Sequence, residues 1–230
     1  MNSRLVVDKQ EGLKEDRDSR LLPQPALLRL SARFFSLLFH PVFVPVMLVY
    51  FMVFIHPYLF AGMETRPKVL VVVQAAAMFT FFPLVTVLLL KALDFIKSIQ
   101  LTSQKDRIIP LVACGVWYFW LWYVWRNQPD YPQQAVQFAL ATWISASLAL
   151  MANIIMKISL HAIGAGVMLT FIILLAFTQD LNFGVYISAA LLVTGIICTS
   201  RFIVSDHSPS EIYGGLALGV LSMIVANQFG

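Results

Sequence analysis

Residues 158–179, ISLHAIGAGVMLTFIILLAFTQ, carry no lysine, arginine or carboxylate over 22 positions. A helix of that length covers about 33 Å at about 1.5 Å per residue, against a hydrocarbon core of about 30 Å. Apolar residues do not alternate with polar ones, as they would in a barrel strand, so the segment is predicted to cross the membrane as a helix. Uncharged runs recur at 34–63, 69–90, 108–125, 131–156, 181–200 and 212–230. With 59% hydrophobic residues, 12% charged residues and a mean hydropathy of +0.79, the composition excludes a water-soluble domain. The expected fold is an all-α membrane protein, a bundle of about seven transmembrane helices (six to seven) over residues 40–230.

The first run is interrupted by His40-Pro41, Pro45 and His56-Pro57, which leaves 42–60 as its expected core. The third ends in Trp117, Tyr118, Phe119, Trp120, Trp122, Tyr123 and Trp125 ahead of Arg126, a ring cluster suited to the headgroup level. Residues 1–22 mix acids and bases and read as a flexible cytoplasmic tail, without the apolar stretch and cleavage site of a signal peptide. Residues 23–39 set Arg29 and Arg33 four apart among Leu and Phe, which fits either a helix in the membrane interface or an extension of the first span. Of the 16 Lys and Arg, 13 fall on the N-terminal side of this topology; Arg66, Lys68 and Arg126 fall on the other, so the N-terminus is expected in the cytoplasm. Cys114 and Cys198 lie inside predicted spans and read as packing residues. Neither Cys-x-x-Cys nor paired-His spacing points to a metal.

Polar residues gather after the second, fourth and sixth spans. The first cluster is Gln100-Leu-Thr-Ser-Gln-Lys105-Asp106-Arg107-Ile-Ile-Pro110, the second Lys157-Ile-Ser159-Leu-His161, and the third runs from Ser200-Arg201 through Asp206-His207 to Glu211. Even-numbered spans all end on one face, so two imidazoles, several cations and a carboxylate are expected to meet there. Such a set can hold an anion and move protons.

The third cluster, Ser200-Arg201, five residues, His207, three residues, Glu211, resembles the last motif of the type 2 phosphatidic acid phosphatase superfamily, with Glu in place of Asp. A His motif two spans earlier and a basic motif two spans before that extend the resemblance over about residues 90–230. It implies a phosphatase-like helical core in which His207 attacks phosphorus, Glu211 orients that imidazole and His161 protonates the leaving alkoxide. Arg201 and Arg107 would neutralise the phosphoryl oxygens, with Ser159, Lys157, Lys105 and Ser200 as further phosphate contacts. No metal and no other cofactor is implied, since the cations supply the positive charge. The sequence departs from the family pattern at Gln100, where the first motif has Lys, and at Ile158 and Leu160, where the middle motif has Pro and Gly.

Structural readings stand beside the catalytic ones. Ser208-Pro209-Ser210-Glu211 is also a helix capping box, His161 also suits an interhelical hydrogen bond, and His40 and His56, each before Pro, read as span boundaries outside the site. Lys97 reads as a membrane-surface anchor. Gly164, Gly166, Gly214, Gly215 and Gly219 predict close packing of the fifth and seventh spans. Together these features lead to an expectation of a lipid phosphatase acting on a phosphate monoester or pyrophosphate, in a bacterial inner membrane. The alternative is a non-catalytic relative that binds or translocates a phospholipid or polyprenyl phosphate. Expected partners are a lipid phosphate and membrane lipids, not nucleic acid; the sequence leaves the oligomeric state open.

Overall fold

In lipid every backbone N–H and C=O must find a partner within the chain, and helices meet that demand segment by segment. The computed structural model describes residues 5–8, 12–15, 25–101, 103–179, 181–204 and 207–230. Its helices are α1 (Ala26–Leu38), α2 (Val44–Ile55), α3 (Thr65–Ala92), α4 (Gln104–Arg126), α5 (Gln133–Ile155), α6 (Leu160–Phe177), α7 (Gly184–Val204) and α8 (Pro209–Phe229). The six from α3 to α8 are long and apolar enough to cross a membrane, and the protein is an all-α integral membrane bundle. Large side chains such as Leu88, Leu89, Leu192 and Leu221 point outward and exposed, as lipid-facing residues do.

The first expected span is corrected. α1 stops at Leu38, the chain turns through 39–43, and only Val44–Ile55 is helical, so no continuous helix runs from residue 34 to 63. Proline explains both breaks: Pro41 and Pro45 set the start of α2, and its last turn widens to π geometry over Phe51–Ile55 just before His56-Pro57. The segment still keeps pace with α6. At one end the His40 ring lies 5.1 Å from that of His161, at the start of α6; at the other, His56 lies 5.8 Å from Phe183, just beyond its end. A similar π turn at Ala77–Phe81 precedes Pro83 in α3.

The segment expected to be a flexible tail contains a short antiparallel ribbon, β1 (Leu5–Asp8) paired with β2 (Gly12–Glu15). Its β-branched Val6 and Val7 favour extended backbone. The rest of 1–24 lies outside the described residues.

Packing follows residue size. Phe79, Leu121, Trp125, Phe138, Phe171 and Met223 fill one buried cluster. Where α6 meets α8 the backbones nearly touch: a Cβ on Gly166 would strike the backbone of Leu216 and Val220, and one on Gly219 that of Ile163 and Val167. Only glycine permits this approach. α4 and α5 are tied at the ends that bear the polar clusters, where Asn153 Nδ2 donates to the Gln104 carbonyl at 2.8 Å and Gln104 Nε2 to the Asn153 carbonyl at 2.9 Å. α1 lies along α7, its Leu28, Ala32 and Phe35 flanking a groove against Leu191, Gly195 and Ile203.

Candidate functional site

Three helix starts and one helix end build the site. At the start of α8, Ser208 caps the helix by accepting from the Glu211 N–H, while Glu211 Oε2 accepts from the Ser208 N–H at 2.9 Å. The same Oε2 lies 3.1 Å from His207 Nδ1. A carboxylate accepts, so Nδ1 carries the hydrogen and the neutral ring keeps its lone pair on Nε2. Burial lowers the His207 pKa, and the charges of Arg201 and Arg107 push the same way against the Glu211 hydrogen bond. The neutral imidazole a nucleophile needs is thus favoured.

α6 begins beside α8. Ser159 is its N-cap, accepting from the Ala162 N–H at 3.4 Å, and the Ser159 N–H donates to the Glu211 carbonyl at 3.1 Å. This backbone bond and the glycine contact between α6 and α8 bring His161 and His207 to one cavity. At the start of α4, Ser103 caps the helix through the Asp106 N–H, and buried Arg107 reaches across. Its Nη1 donates to the Ile158 carbonyl at 2.8 Å and its Nε to the Leu101 carbonyl at 2.9 Å. Arg201, in the last turn of α7, donates from Nη1 to the Ser36 hydroxyl at 2.7 Å.

The cavity measures about 290 Å³. It is lined by Arg107, His161, Arg201 and His207, together with His40 and Gln100; the rest of the lining is mostly apolar, including Leu48, Leu84, Val87 and Phe138, with Cys114, Tyr118, Thr142 and Ser145 among it. Two guanidiniums and three imidazoles in a mostly apolar cavity suit an anionic head on a hydrocarbon tail. Among the described residues no group of three or more His, Cys, Asp or Glu is placed to hold a metal ion.

The remaining expected phosphate contacts lie elsewhere. Lys105 is exposed, and Lys157 is half-buried in the connection before α6; neither lines the cavity. The Ser159 hydroxyl is engaged as a helix cap, and Ser200 faces the groove between α1 and α7. Asp206 lies outside the described residues. Two residues enter the site that sequence reasoning left out. His40 lines the cavity with its ring edge-on to His161, and burial, aided by Arg201, lowers its pKa to about 4. Ser36 binds Arg201 and His161 from α1. The signals available, a histidine before proline and one of two serines in a helix rich in Leu and Phe, are common in span boundaries and carry no spacing to either partner.

Comparison with protein-family models, curated proteins and solved structures returns no match for this chain.

Proposed function

We propose that the protein is a membrane lipid phosphatase of the type 2 phosphatidic acid phosphatase class, acting on a lipid phosphate monoester or pyrophosphate. The observation that carries this reading is that His207, paired with Glu211, lines one mostly apolar cavity together with His161, Arg107 and Arg201. His207 Nε2 attacks phosphorus; a P–N bond forms as the P–O bond to the leaving group breaks. His161, entering the step as the imidazolium, gives its Nδ1 proton to the departing oxygen; it then takes a proton from the water that cleaves the phosphohistidine, which releases phosphate and returns His207 to its neutral state. The guanidiniums hold the phosphoryl oxygens as charge redistributes. The site face is assigned to the cytoplasm of a bacterial inner membrane, following the basic-residue asymmetry.

A second reading, an anion-binding or translocating relative without turnover, is favoured by Arg107. Its Nε and Nη1 are held by two backbone carbonyls, and Gln100 at the cavity wall brings no charge. Phosphate release from a mixed panel of lipid phosphates by the purified protein separates the two. The phosphatase reading expects release that falls to background in His207→Ala; wild-type release no greater than the variant's refutes it and leaves the binder.

A further inference from the structure

Ser36 sits in the last turn of α1, far from every motif in the sequence, and is buried. Its hydroxyl accepts from Arg201 Nη1 at 2.7 Å, and its carbonyl lies 3.0 Å from His161 Nε2. A carbonyl only accepts, so Nε2 of His161 carries the hydrogen of that bond. Nδ1 is then the nitrogen left for chemistry, carrying the proton that goes to the leaving oxygen and the lone pair once it has gone. Helix geometry explains why this carbonyl is available: the last four C=O groups of an α-helix have no partner within it. Those of Phe35 and Leu37 are taken by the N–H groups of Phe39 and His40 as the chain turns toward α2, and that of Ser36 goes to His161.

Such a contact could block the site or brace it. The cavity wall decides between these, because it includes Arg201 and His161 but not Ser36. The serine stands behind both side chains, on the side of α1 and α7. We infer that Ser36 is a positioning residue of the phosphate site, resting on the reading above. Its hydroxyl fixes the Arg201 fork, its carbonyl fixes the His161 tautomer, and α1 is thereby a working part of the site.

Dodecyl phosphate, a single-chain lipid phosphate, serves as the probe. Its equilibrium binding to the full-length protein in detergent is measured by calorimetry for wild type, Ser36→Ala and Ser36→Thr, with phosphate release and thermal unfolding followed in parallel. Ser36→Ala removes a hydrogen bond to a charged donor and keeps the carbonyl. Affinity is expected to weaken about tenfold, with KM rising equally, kcat within about twofold and the unfolding temperature held. Ser36→Thr, which keeps the hydroxyl, is expected to retain affinity within about threefold of wild type. Unchanged affinity in Ser36→Ala overturns the inference and leaves the phosphatase reading standing. Tighter binding or faster release overturns it in favour of a plug, and loss in both variants with lowered unfolding temperatures assigns Ser36 a purely structural role. If wild type binds dodecyl phosphate but releases no phosphate, turnover is lost from the reading and the affinity comparison still decides Ser36. A wild type that does not bind it overturns both.

Discussion

Glu211 performs two tasks with one oxygen, closing the cap of α8 and holding His207 Nδ1–H. Glutamine also serves at this cap position, so Glu211→Gln is expected to keep the helix start while deleting the negative charge beside the imidazole. Turnover should drop about a hundredfold, the scale of a lost acid–base partner. The pH profile gives a second readout. On the phosphatase reading His207 must be neutral to attack, and its pKa lies below the ordinary 6.5, so release should fall on the acid side as that imidazole is protonated, while loss of the His161 proton closes the profile on the alkaline side. Glu211 raises that pKa, so the acid limb of Glu211→Gln should move to still lower pH; a limb that stays put or moves up would show that the carboxylate does not govern His207. Much of this chemistry is legible in the sequence because Arg201, His207 and Glu211 sit at fixed short spacings across one helix end and the next helix start. Lys105 shows the limit: its neighbour Arg107 points inward while it is itself exposed, a difference of helix face that a basic cluster does not reveal. Ser36 and His40 were illegible for another reason, since their partners lie more than a hundred residues away and are set by how α1 and α2 dock.

At the level of elements, the distance between the two histidines is set by how closely α6 approaches α8. Backbone atoms surround the Cα of Gly219 on that side, with Val167 N 2.9 Å and Gly166 Cα 3.0 Å from where a Cβ would stand. Backbone cannot rotate away as a side chain would, so Gly219→Ala should force the helices apart and cost about 1–3 kcal/mol. Gly195→Ala in α7 meets nothing within 4 Å and should be neutral. Unfolding of the two variants in detergent measures this difference, and phosphate release should fall in the first alone; equal stability of both would show that the contact is not a constraint. The spacing of these glycines was visible in the sequence, and so were the six long spans, because both signals repeat along one helix. The break between α1 and α2 was hidden by the same measure that found the spans. Hydropathy over 34–63 registers apolar length, whereas the structure there is decided by where Pro41, Pro45 and Pro57 interrupt backbone hydrogen bonding.

Across the whole molecule, the helix ends divide the basic residues between two faces. Lys91, Lys97, Lys105 and Lys157 lie near the ends that carry the site, against Arg66, Lys68 and Arg126 at the opposite ends. Once Arg107 and Arg201 are set aside as the proposed anion ligands, this is nearly balanced. Orientation therefore rests on Arg29 and Arg33 of α1 and on the basic residues ahead of it. Single cysteines at Ser3, Gln128 and Ser210, in a background with Cys114 and Cys198 replaced by alanine, test this against a membrane-impermeant maleimide. With the charge asymmetry in control, Gln128→Cys should label in intact cells, while Ser3→Cys and Ser210→Cys should label only after permeabilisation. Labelling of Ser210→Cys from outside, with Ser3→Cys still protected, would place the tail and the site on opposite faces. Among the described residues between the tail and the site, α1 offers only 13 residues for that crossing, about 20 Å at about 1.5 Å per residue. That is short of the roughly 30 Å hydrocarbon core. Ser36 reaches Arg201 at the site end of α7, so among the described residues α1 ends on the face of the site, and a shared face for tail and site is the labelling result expected.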